Sequence, residues 1–178
     1  PSYATELFDH IKSRLPISEG SIFADIGSGT GIFSEQLLNC GYRVYAVEPN
    51  ADMRQIAEER LSKCKDFISV EGADSNTNLP DQSVNFITVA QAFHWFDVEM
   101  FKKECKRILK QNGWVIIVYN SRDNQAACTK ALANLRCKYN PEFHGFSNGI
   151  SDEKCRAFFD GTCEIFSADN SHNYDRQG

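Results

Sequence analysis

Short apolar runs alternate along the chain with longer segments in which apolar residues recur every three or four positions. The runs predict β-strands, and the longer segments predict amphipathic helices. The predicted strands cover residues 21–26, 42–47, 67–70, 85–90 and 114–119; the predicted helices cover 3–14, a segment ending near 40, segments after 50 and after 97, and 123–139. This alternation predicts an α/β fold, a doubly wound and mostly parallel sheet with helices on both faces.

Capping residues indicate where several of these helices begin and end. Asn50 and Asp97 are placed as N-caps, and Gly41 is placed to end the helix before the second strand. Residues 75–82 are polar and predict a loop, and residues 163–166 predict a sixth strand. The helix after Asn50 is expected to bury an apolar stripe formed by Met53, Ile56, Ala57 and Leu61.

Length, charge and cysteine usage narrow the class of protein. At 178 residues, 42% of them apolar, the chain is long enough for one domain with a packed core. A net charge of −5 without a Lys/Arg stripe argues against nucleic acid as a partner. No run approaches the roughly 20 apolar residues of a membrane span, and no signal-peptide pattern is present. Seven scattered cysteines without a C-x-x-C pair predict a reduced, cytoplasmic protein without disulfides or a metal site.

A glycine-rich turn joins the first predicted strand to the next helix. It reads Asp25-Ile26-Gly27-Ser28-Gly29-Thr30-Gly31. Glycine permits positive φ and a close approach of the backbone to a ligand, and the following helix offers free N–H groups and a partial positive charge. The turn is therefore a candidate site for a carboxylate or a phosphate. The alternative is a tight turn without a ligand.

Glycine spacing and a downstream acid restrict the choice of ligand. The dinucleotide fingerprint G-x-G-x-x-G requires a third glycine where this chain has Ile32, so the turn fits a nicotinamide dinucleotide poorly. Glu48 ends the second strand about 20 residues later, where a carboxylate binds the hydroxyls of a ribose. A surface glutamate at a strand end is the alternative. The two features together favour a cofactor that contains a ribose.

Four motifs, in order, resemble those of the class I S-adenosylmethionine-dependent methyltransferases. Asp25–Gly31 looks like their first motif, and Val47-Glu48-Pro49-Asn50 looks like the acidic end of their second strand. Gly72-Ala73-Asp74 looks like the end of their third strand, which contacts adenine. Residues 79–85 are similar to the LP-x-x-S-x-D run of the type 11 subgroup, with Asn in place of the final Asp. The resemblance spans 21–119 and implies a Rossmann-like fold that uses S-adenosyl-L-methionine.

The resemblance also implies which residues bind the cofactor. The chemistry matches, because a helix N-terminus suits its carboxylate, a glutamate suits its ribose diol, and an aspartate accepts from its adenine amine. Met53 packs either on the adenine ring or in the core. The implied residues are Asp25, Gly27, Ser28, Gly29, Thr30, Gly31, Glu48, Pro49, Met53, Ala73, Asp74, Gln91 and Ala92.

The segment after the fourth strand is the candidate acceptor side of the site. It reads Gln91-Ala92-Phe93-His94-Trp95-Phe96 and lies at the sheet edge where ligands bind. Histidine titrates near neutral pH, so His94 is the candidate general base; acceptor positioning and a structural hydrogen bond are its alternatives. Trp95, Phe143 and Phe146 are candidate acceptor contacts, and packing in the core or over the sheet edge is their alternative.

The expected function is methyl transfer to a small-molecule acceptor, at oxygen or nitrogen and including a carboxylate, by in-line displacement. A non-catalytic scaffold that binds the cofactor and a nicotinamide-dependent oxidoreductase are the alternatives. We expect one domain over 1–178, with a cofactor-binding core at 21–119 and a substrate-side insertion and partial C-terminal part at 120–178. The family sheet has seven strands, and we expect this chain to lack the last. Tyr3 is the one contact expected from the N-terminal segment, and the oligomeric state is left open.

Overall fold

The structure is a computed structural model that describes residues 2–140, 142 and 152–170. In this part of the chain five strands form one parallel sheet in the order β3-β2-β1-β4-β5. The strands are β1 (Ile22–Ile26), β2 (Arg43–Val47), β3 (Phe67–Val70), β4 (Val84–Ala90) and β5 (Leu109–Val118). The helices are α1 (Thr5–Arg14), α2 (Ile32–Asn39), α3 (Ala51–Leu61), α4 (Val98–Ile108), α5 (Ala127–Tyr139) and α6 (Asp152–Phe158), with a 3-10 turn at Phe93–Trp95. The predicted fold class is confirmed.

Two apolar cores lie on opposite faces of the sheet. In β1, Phe23 contributes to the core that α1 and α2 cover, whereas Ala24 and Ile26 contribute to the core that α4 and α6 cover. Successive side chains of a strand point to opposite faces, so a strand covered on both faces is apolar throughout. The apolar runs of β1 and β4 have this origin, and Asp25 and Thr88 are the buried polar exceptions in them.

The three capping predictions are confirmed. The side chains of Asn50 and Asp97 each accept the backbone N–H three residues later, at 3.0 and 2.9 Å. Gly41 follows α2 with a φ of 84°, and its N–H donates to the carbonyl of Leu38 at 2.9 Å. Caps of this kind stabilise a helix end by about 1 kcal/mol. They also set the point at which the chain leaves each helix for the next strand or loop.

β5 begins at Leu109, directly after α4, rather than at the predicted Trp114. Its pairing with β4 is irregular between these two residues. Gly113 lies in the irregular stretch, where a Cβ would be 2.9 Å from the carbonyl oxygen of Asn85. The Asn-Gly signal therefore marks a distortion within the strand. β5 is an edge strand of the described sheet, and of its residues only Val118 is buried.

The predicted strand at residues 163–166 is wrong. The segment has no regular secondary structure and pairs with no strand in the described part of the chain. Side-chain contacts with α1 hold it instead, because Glu164 accepts from Arg14 at 2.9 Å and the ring of Phe166 stacks on His10 at 3.8 Å between centroids. A groove of about 650 Å³ lies between this segment, α1, α4, α6 and β5, away from the glycine-rich turn.

Two helices bury less apolar surface than their sequences predict. In α3, Ala57 and Leu61 are buried, but Met53 and Ile56 are 44% and 45% exposed. α5 begins at Ala127 rather than near Asp123, and none of its residues is buried. Periodicity identifies the apolar face of a helix. It does not establish that another element covers that face, which explains both differences.

No disulfide joins the seven cysteines, all of which lie in the described residues. Of the helices in residues 2–140 and 152–170, none is long and apolar enough to cross a bilayer. The same residues bring together no group of three or more His, Cys, Asp or Glu side chains able to hold a metal ion.

Candidate active site

The glycine-rich turn between β1 and α2 uses its three glycines differently. All three have positive φ, at 71° for Gly27, 56° for Gly29 and 78° for Gly31. A Cβ on Gly27 would lie 2.7 Å from the Cβ of Ala92, and one on Gly31 would lie 3.0 Å from a side chain of α3. A Cβ on Gly29 would meet only the sulfur of Met53, at 3.9 Å. Two glycines therefore permit close packing, and Gly29 faces open space.

The open space above this turn is a cavity of about 440 Å³ at the carboxyl edge of the sheet. Parallel α/β sheets bind ligands at this edge. The lining combines the turn, the start of α2 and the residues that end β4 and follow β5. It is formed by Tyr3, Asp25, Gly27, Ser28, Gly29, Thr30, Ile32, Phe33, Met53, Ala90, Gln91 and Asn120.

The first turn of α2 gives this cavity an electropositive wall. The N–H groups of the first helical residues have no carbonyl partner within the helix. The N-cap residue is Gly31, which has no side chain to accept a hydrogen bond from them. Free N–H groups and the helix dipole favour an anionic ligand group here.

Asp25 forms the floor of the cavity and is fully buried. Its carboxylate accepts from the hydroxyls of Ser34 at 2.6 Å and Thr88 at 3.1 Å. Burial raises the pKa of Asp25 from 3.8 to about 6, against the opposing effect of these hydrogen bonds. Burial likewise raises the pKa of Tyr3 to about 12, and the nearby Asp25 adds to this rise. A buried carboxylate in this position favours a cationic ligand group.

Glu48 braces the turn from the end of β2. It is 7% exposed, so the interpretation of a surface glutamate is wrong. One carboxylate oxygen accepts from the N–H of Gly29 at 2.9 Å and the other accepts from the N–H of Asn50 at 3.0 Å. Glu48 is not part of the cavity lining, but Gly29, to which it bonds, is. Each oxygen retains a second lone pair for a ligand hydroxyl.

Ala73 and Asp74 lie on the turn that follows β3, outside the cavity lining. β3 is the neighbour of β2, so this turn and Glu48 are at the same edge of the sheet. One carboxylate oxygen of Asp74 accepts from the backbone N–H of Asp97 at 3.2 Å, which ties the turn to the start of α4. Pro49, which follows Glu48, is exposed.

The loop after β4 divides into a part that faces the cavity and a part that does not. Gln91 lines the cavity and donates to the carbonyl of Asn120 at 3.2 Å. Ala92 packs on the first glycine of the turn. His94 and Trp95 are exposed and lie outside the cavity lining, and 81% of Trp95 is accessible to solvent. The interpretation of Trp95 as a core residue is therefore wrong.

His94 is held by Tyr119, which follows β5. The hydroxyl of Tyr119 accepts from the backbone N–H of His94 at 2.9 Å and lies 3.1 Å from its Nδ1. If the hydroxyl donates to Nδ1, the ring proton is on Nε2 and His94 presents a hydrogen-bond donor to solvent. If Nδ1–H donates to the hydroxyl, Nε2 is free to accept a proton. The positioning role and the general-base role therefore require opposite tautomers.

The structure brings seven of the thirteen predicted cofactor residues to the cavity: Asp25, Gly27, Ser28, Gly29, Thr30, Met53 and Gln91. Gly31 and Ala92 pack against neighbouring elements and support the turn. The remaining four, Glu48, Pro49, Ala73 and Asp74, follow β2 and β3 at the same edge. The predicted acceptor contacts Phe143 and Phe146 lie outside the described residues.

Four lining residues were not predicted. Ala90 and Asn120 end β4 and follow β5, so the rule that ligands bind at carboxyl ends of strands identifies both positions. Ile32 and Phe33 begin α2, directly after the glycine-rich turn. Tyr3, which was expected, lines the cavity because the side chain of Gln36 bonds its N–H and carbonyl at 2.9 and 3.0 Å.

The residues of the cavity fit the parts of S-adenosylmethionine. The free N–H groups of α2 suit its carboxylate, and the buried Asp25 suits its ammonium. Gly29 has no side chain in the open space beside it, which leaves its backbone accessible to a ligand at close range. The half-exposed thioether of Met53 provides an apolar surface beside it.

An open parallel sheet with a glycine-rich first crossover, an acid after β2 and a cavity at its carboxyl edge defines a Rossmann-like domain for a nucleoside cofactor. A family model described as "Methyltransferase domain", of type 11, matches residues 24–117, more than half of the chain. The chain therefore belongs to this family. It is a class I S-adenosylmethionine-dependent methyltransferase domain, and S-adenosylmethionine is its cofactor.

Individual relatives agree with this assignment. An uncharacterized methyltransferase of Mycobacterium bovis is 30% identical over 135 residues, which are 76% of this chain and 53% of the relative. A solved structure from Anabaena variabilis, provisionally named a methyltransferase of an antibiotic biosynthesis pathway, is 30% identical with a TM-score of 0.65, covering 88% of this chain and 60% of that one. A methyltransferase from Aquifex aeolicus shares the fold at 23% identity and a TM-score of 0.57, over 74% and 78% of the two chains. The chain spans about half the length of the curated relatives it matches.

Proposed function

We propose that this chain transfers a methyl group from S-adenosylmethionine to an oxygen or nitrogen of a small-molecule acceptor, such as a carboxylate, by in-line displacement. The observation that carries the proposal is the cavity of about 440 Å³ above the glycine-rich turn, with an electropositive helix end and a buried carboxylate at its floor. When bound, S-adenosylmethionine supplies a methyl group that is already activated on a positively charged sulfur. The chain's own task is then to bind, align and exclude water.

The proposed cofactor contacts follow from the charge of each group. The free N–H groups at the start of α2 bind the carboxylate, and Asp25 binds the ammonium. Glu48 accepts from the ribose hydroxyls with the lone pairs that Gly29 and Asn50 do not use. Asp74 accepts from the adenine amine. Pro49, Met53, Ala73, Gln91 and Ala92 complete the proposed shape of this pocket.

On the acceptor side, His94 is the proposed catalytic residue. With its ring proton on Nδ1 toward Tyr119, Nε2 accepts the acceptor's proton; with the proton on Nε2, His94 orients an acceptor that has already lost it. A carboxylate acceptor needs only the second role, because it is deprotonated at neutral pH. Trp95, Phe143 and Phe146 are the proposed apolar contacts of the acceptor.

Replacing Glu48 tests the cofactor part of the proposal. We expect Glu48→Ala to weaken binding of S-adenosylhomocysteine by about 1–3 kcal/mol, the range for losing charge-assisted hydrogen bonds. Isothermal titration calorimetry measures the change, and NADH serves as the comparison ligand, for which we expect no binding.

Glu71→Ala is the matched control, because Glu71 follows β3 as Glu48 follows β2 but is 77% exposed in its side chain. It should leave the affinity unchanged. Unchanged affinity in Glu48→Ala as well, with a normal thermal transition, removes Glu48 from the site. Methyl incorporation from labelled cofactor into a panel of small carboxylic acids and alcohols separates the enzyme from a non-catalytic scaffold, which binds the cofactor without turning it over.

A further inference from the structure

A buried carboxylate on α4 lies outside the cavity and has no part in the site described so far. Glu104 is 6% exposed and accepts four hydrogen bonds. Thr77 donates two of them, from its N–H at 2.8 Å and its hydroxyl at 2.6 Å. Arg107 donates the other two, from Nε at 2.9 Å and Nη2 at 2.7 Å. Burying a charge is costly, and these four hydrogen bonds offset that cost. We therefore asked what the buried carboxylate does in the fold.

Hydrogen bonds from Arg107 and Thr77 keep Glu104 in its charged form. Burial alone raises the pKa of Glu104, but these bonds outweigh it, and the pKa lies below its ordinary value. Glu104 is therefore a permanent acceptor at neutral pH. Its contact with Thr77 is a fixed feature of the fold.

Thr77 directly follows the turn that contains Asp74. Within this turn the N–H of Ala73 donates to the carbonyl of Asn76 at 2.9 Å, and the N–H of Asn76 donates back at 3.2 Å. Thr77 is fully buried, and its carbonyl oxygen lies 2.6 Å from the place of a Cβ on Gly72. The turn is therefore closed on itself and held from below by Glu104.

A second bond joins the same turn to the same helix. Oδ2 of Asp74 accepts from the N–H of Asp97, the N-cap of α4, at 3.2 Å. Within the described residues Oδ1 of Asp74 has no hydrogen-bond partner, which leaves it available to a ligand. α4 thus holds the turn at two points, one at the helix start and one about two turns further along.

We propose that Glu104 is a positioning residue for recognition of the cofactor's adenine, because it fixes the turn that presents Asp74 at the carboxyl edge of the sheet. The inference rests on the proposed function, in which Asp74 accepts from the adenine amine. A hydrogen bond discriminates only when its acceptor is held in place before the ligand binds. A purely structural Glu104 affects stability and all ligands equally, whereas a positioning Glu104 affects the choice between bases.

Two ligands that differ at one group of the base distinguish these roles. S-adenosylhomocysteine has an amine at position 6 of the purine, and S-inosylhomocysteine has an oxygen there. We expect the wild-type protein to bind the adenine ligand at least about tenfold more tightly, since the oxygen cannot donate to Asp74. Calorimetry with each ligand gives the ratio of dissociation constants, and Asp74→Asn should bring this ratio close to one.

Variants behind the turn then test Glu104 itself. Glu104→Gln places an amide N–H₂ against the donors of Arg107, and Thr77→Val removes the hydroxyl while keeping the shape. We expect the ratio to fall at least about fivefold in Glu104→Gln and about threefold in Thr77→Val. Thr77→Ser, which retains the hydroxyl, is the matched control and should keep the wild-type ratio.

Every result decides the proposal. It is overturned if folded Glu104→Gln and Thr77→Val proteins keep the wild-type ratio, or if Asp74→Asn keeps it. Should Glu104→Gln not fold, Thr77→Val against Thr77→Ser gives the answer. A wild-type protein that binds neither ligand overturns the proposed function and this inference together. If the wild-type protein prefers the adenine ligand, and the Glu104 and Thr77 variants show the same preference, only the inference about Glu104 is overturned.

Discussion

The cofactor side and the C-terminal part of the described chain differ in how firmly they are held. On the cofactor side, the turn between β1 and α2 is fixed by close glycine contacts, by Glu48 and by the buried Asp25 with its two hydroxyl donors. In the C-terminal part, α5 buries none of its residues, and the segment after α6 is held to α1 mainly by exposed side chains. The local sequence determines the geometry of the cofactor side. It does not determine how the C-terminal part packs.

Under the proposed function, with the acceptor on the C-terminal side, this contrast follows from what each part does. A cofactor of constant chemistry requires constant groups, namely amides, an acid for an ammonium and an acid for a diol, at fixed places on a sheet edge. An acceptor side is shaped by loops and helices that differ in length and sequence. The fold is thus most constrained where β1, β2 and β4 meet the turn.

The largest expected effect concerns the stability contributed by the two parts. Leu37 on α2 is fully buried, whereas Leu135 on α5 is 53% exposed. Leu37→Ala should lower the free energy of unfolding by about 2–5 kcal/mol, through lost burial and a residual cavity. Leu135→Ala should change it by less than about 0.5 kcal/mol. Urea denaturation measures both, and equal losses in the two variants contradict the contrast.

The next largest expected effect is the pH dependence that Asp25 gives to the free energy of unfolding. Its pKa is about 6 in the folded chain and 3.8 in the unfolded chain, so the folded state binds the proton more tightly. The protonated form therefore stabilises the fold below about pH 4, and this contribution, about 3 kcal/mol, is lost as pH rises through 6.

Between pH 4 and 6.5, Asp25→Asn should remove this decrease of the free energy of unfolding with rising pH. The variant should be more stable than wild type at pH 7.5. Denaturation at several pH values measures the slope. Because only the charged Asp25 attracts an ammonium, the wild-type affinity for S-adenosylhomocysteine should rise over the same interval and that of the variant should not. An unchanged slope in Asp25→Asn contradicts the account.

A smaller effect separates the glycine that faces the cavity from one that does not. Gly29 and Gly20 both have positive φ, so alanine at either costs about 1–2 kcal/mol of stability. Nothing lies within 4 Å of a Cβ on Gly20, whereas one on Gly29 enters the cavity. Gly29→Ala should weaken cofactor binding at least about tenfold, and Gly20→Ala should leave it unchanged. Equal affinities in the two variants mean that the ligand does not approach Gly29.

How much the sequence predicts depends on whether the signal is local. The caps at Asn50 and Asp97 and the glycine-rich turn depend on neighbouring residues, and the structure has them as predicted. Contacts between distant segments are not encoded locally. Examples are the hydrogen bonds between Gln36 and Tyr3 and between Glu104 and Thr77.

Errors arise where a local pattern is read without knowledge of what covers it. The apolar stripe of α3 includes Met53, which lies beside the cavity instead of in the core. The segment at 163–166 contacts α1 through its side chains instead of pairing with a strand. Trp95 is aromatic and still exposed, since the 3-10 turn directs it to solvent. In each case the residue type is compatible with two environments, and tertiary packing decides between them.

The most direct test is a crystal structure of the protein with S-adenosylhomocysteine. We expect the amino-acid end of the ligand to lie over the first turn of α2, with its ammonium toward Asp25 and its ribose hydroxyls at Glu48. Ligand density in the groove between α1 and β5, in the reverse orientation, or nowhere above the glycine-rich turn contradicts the account.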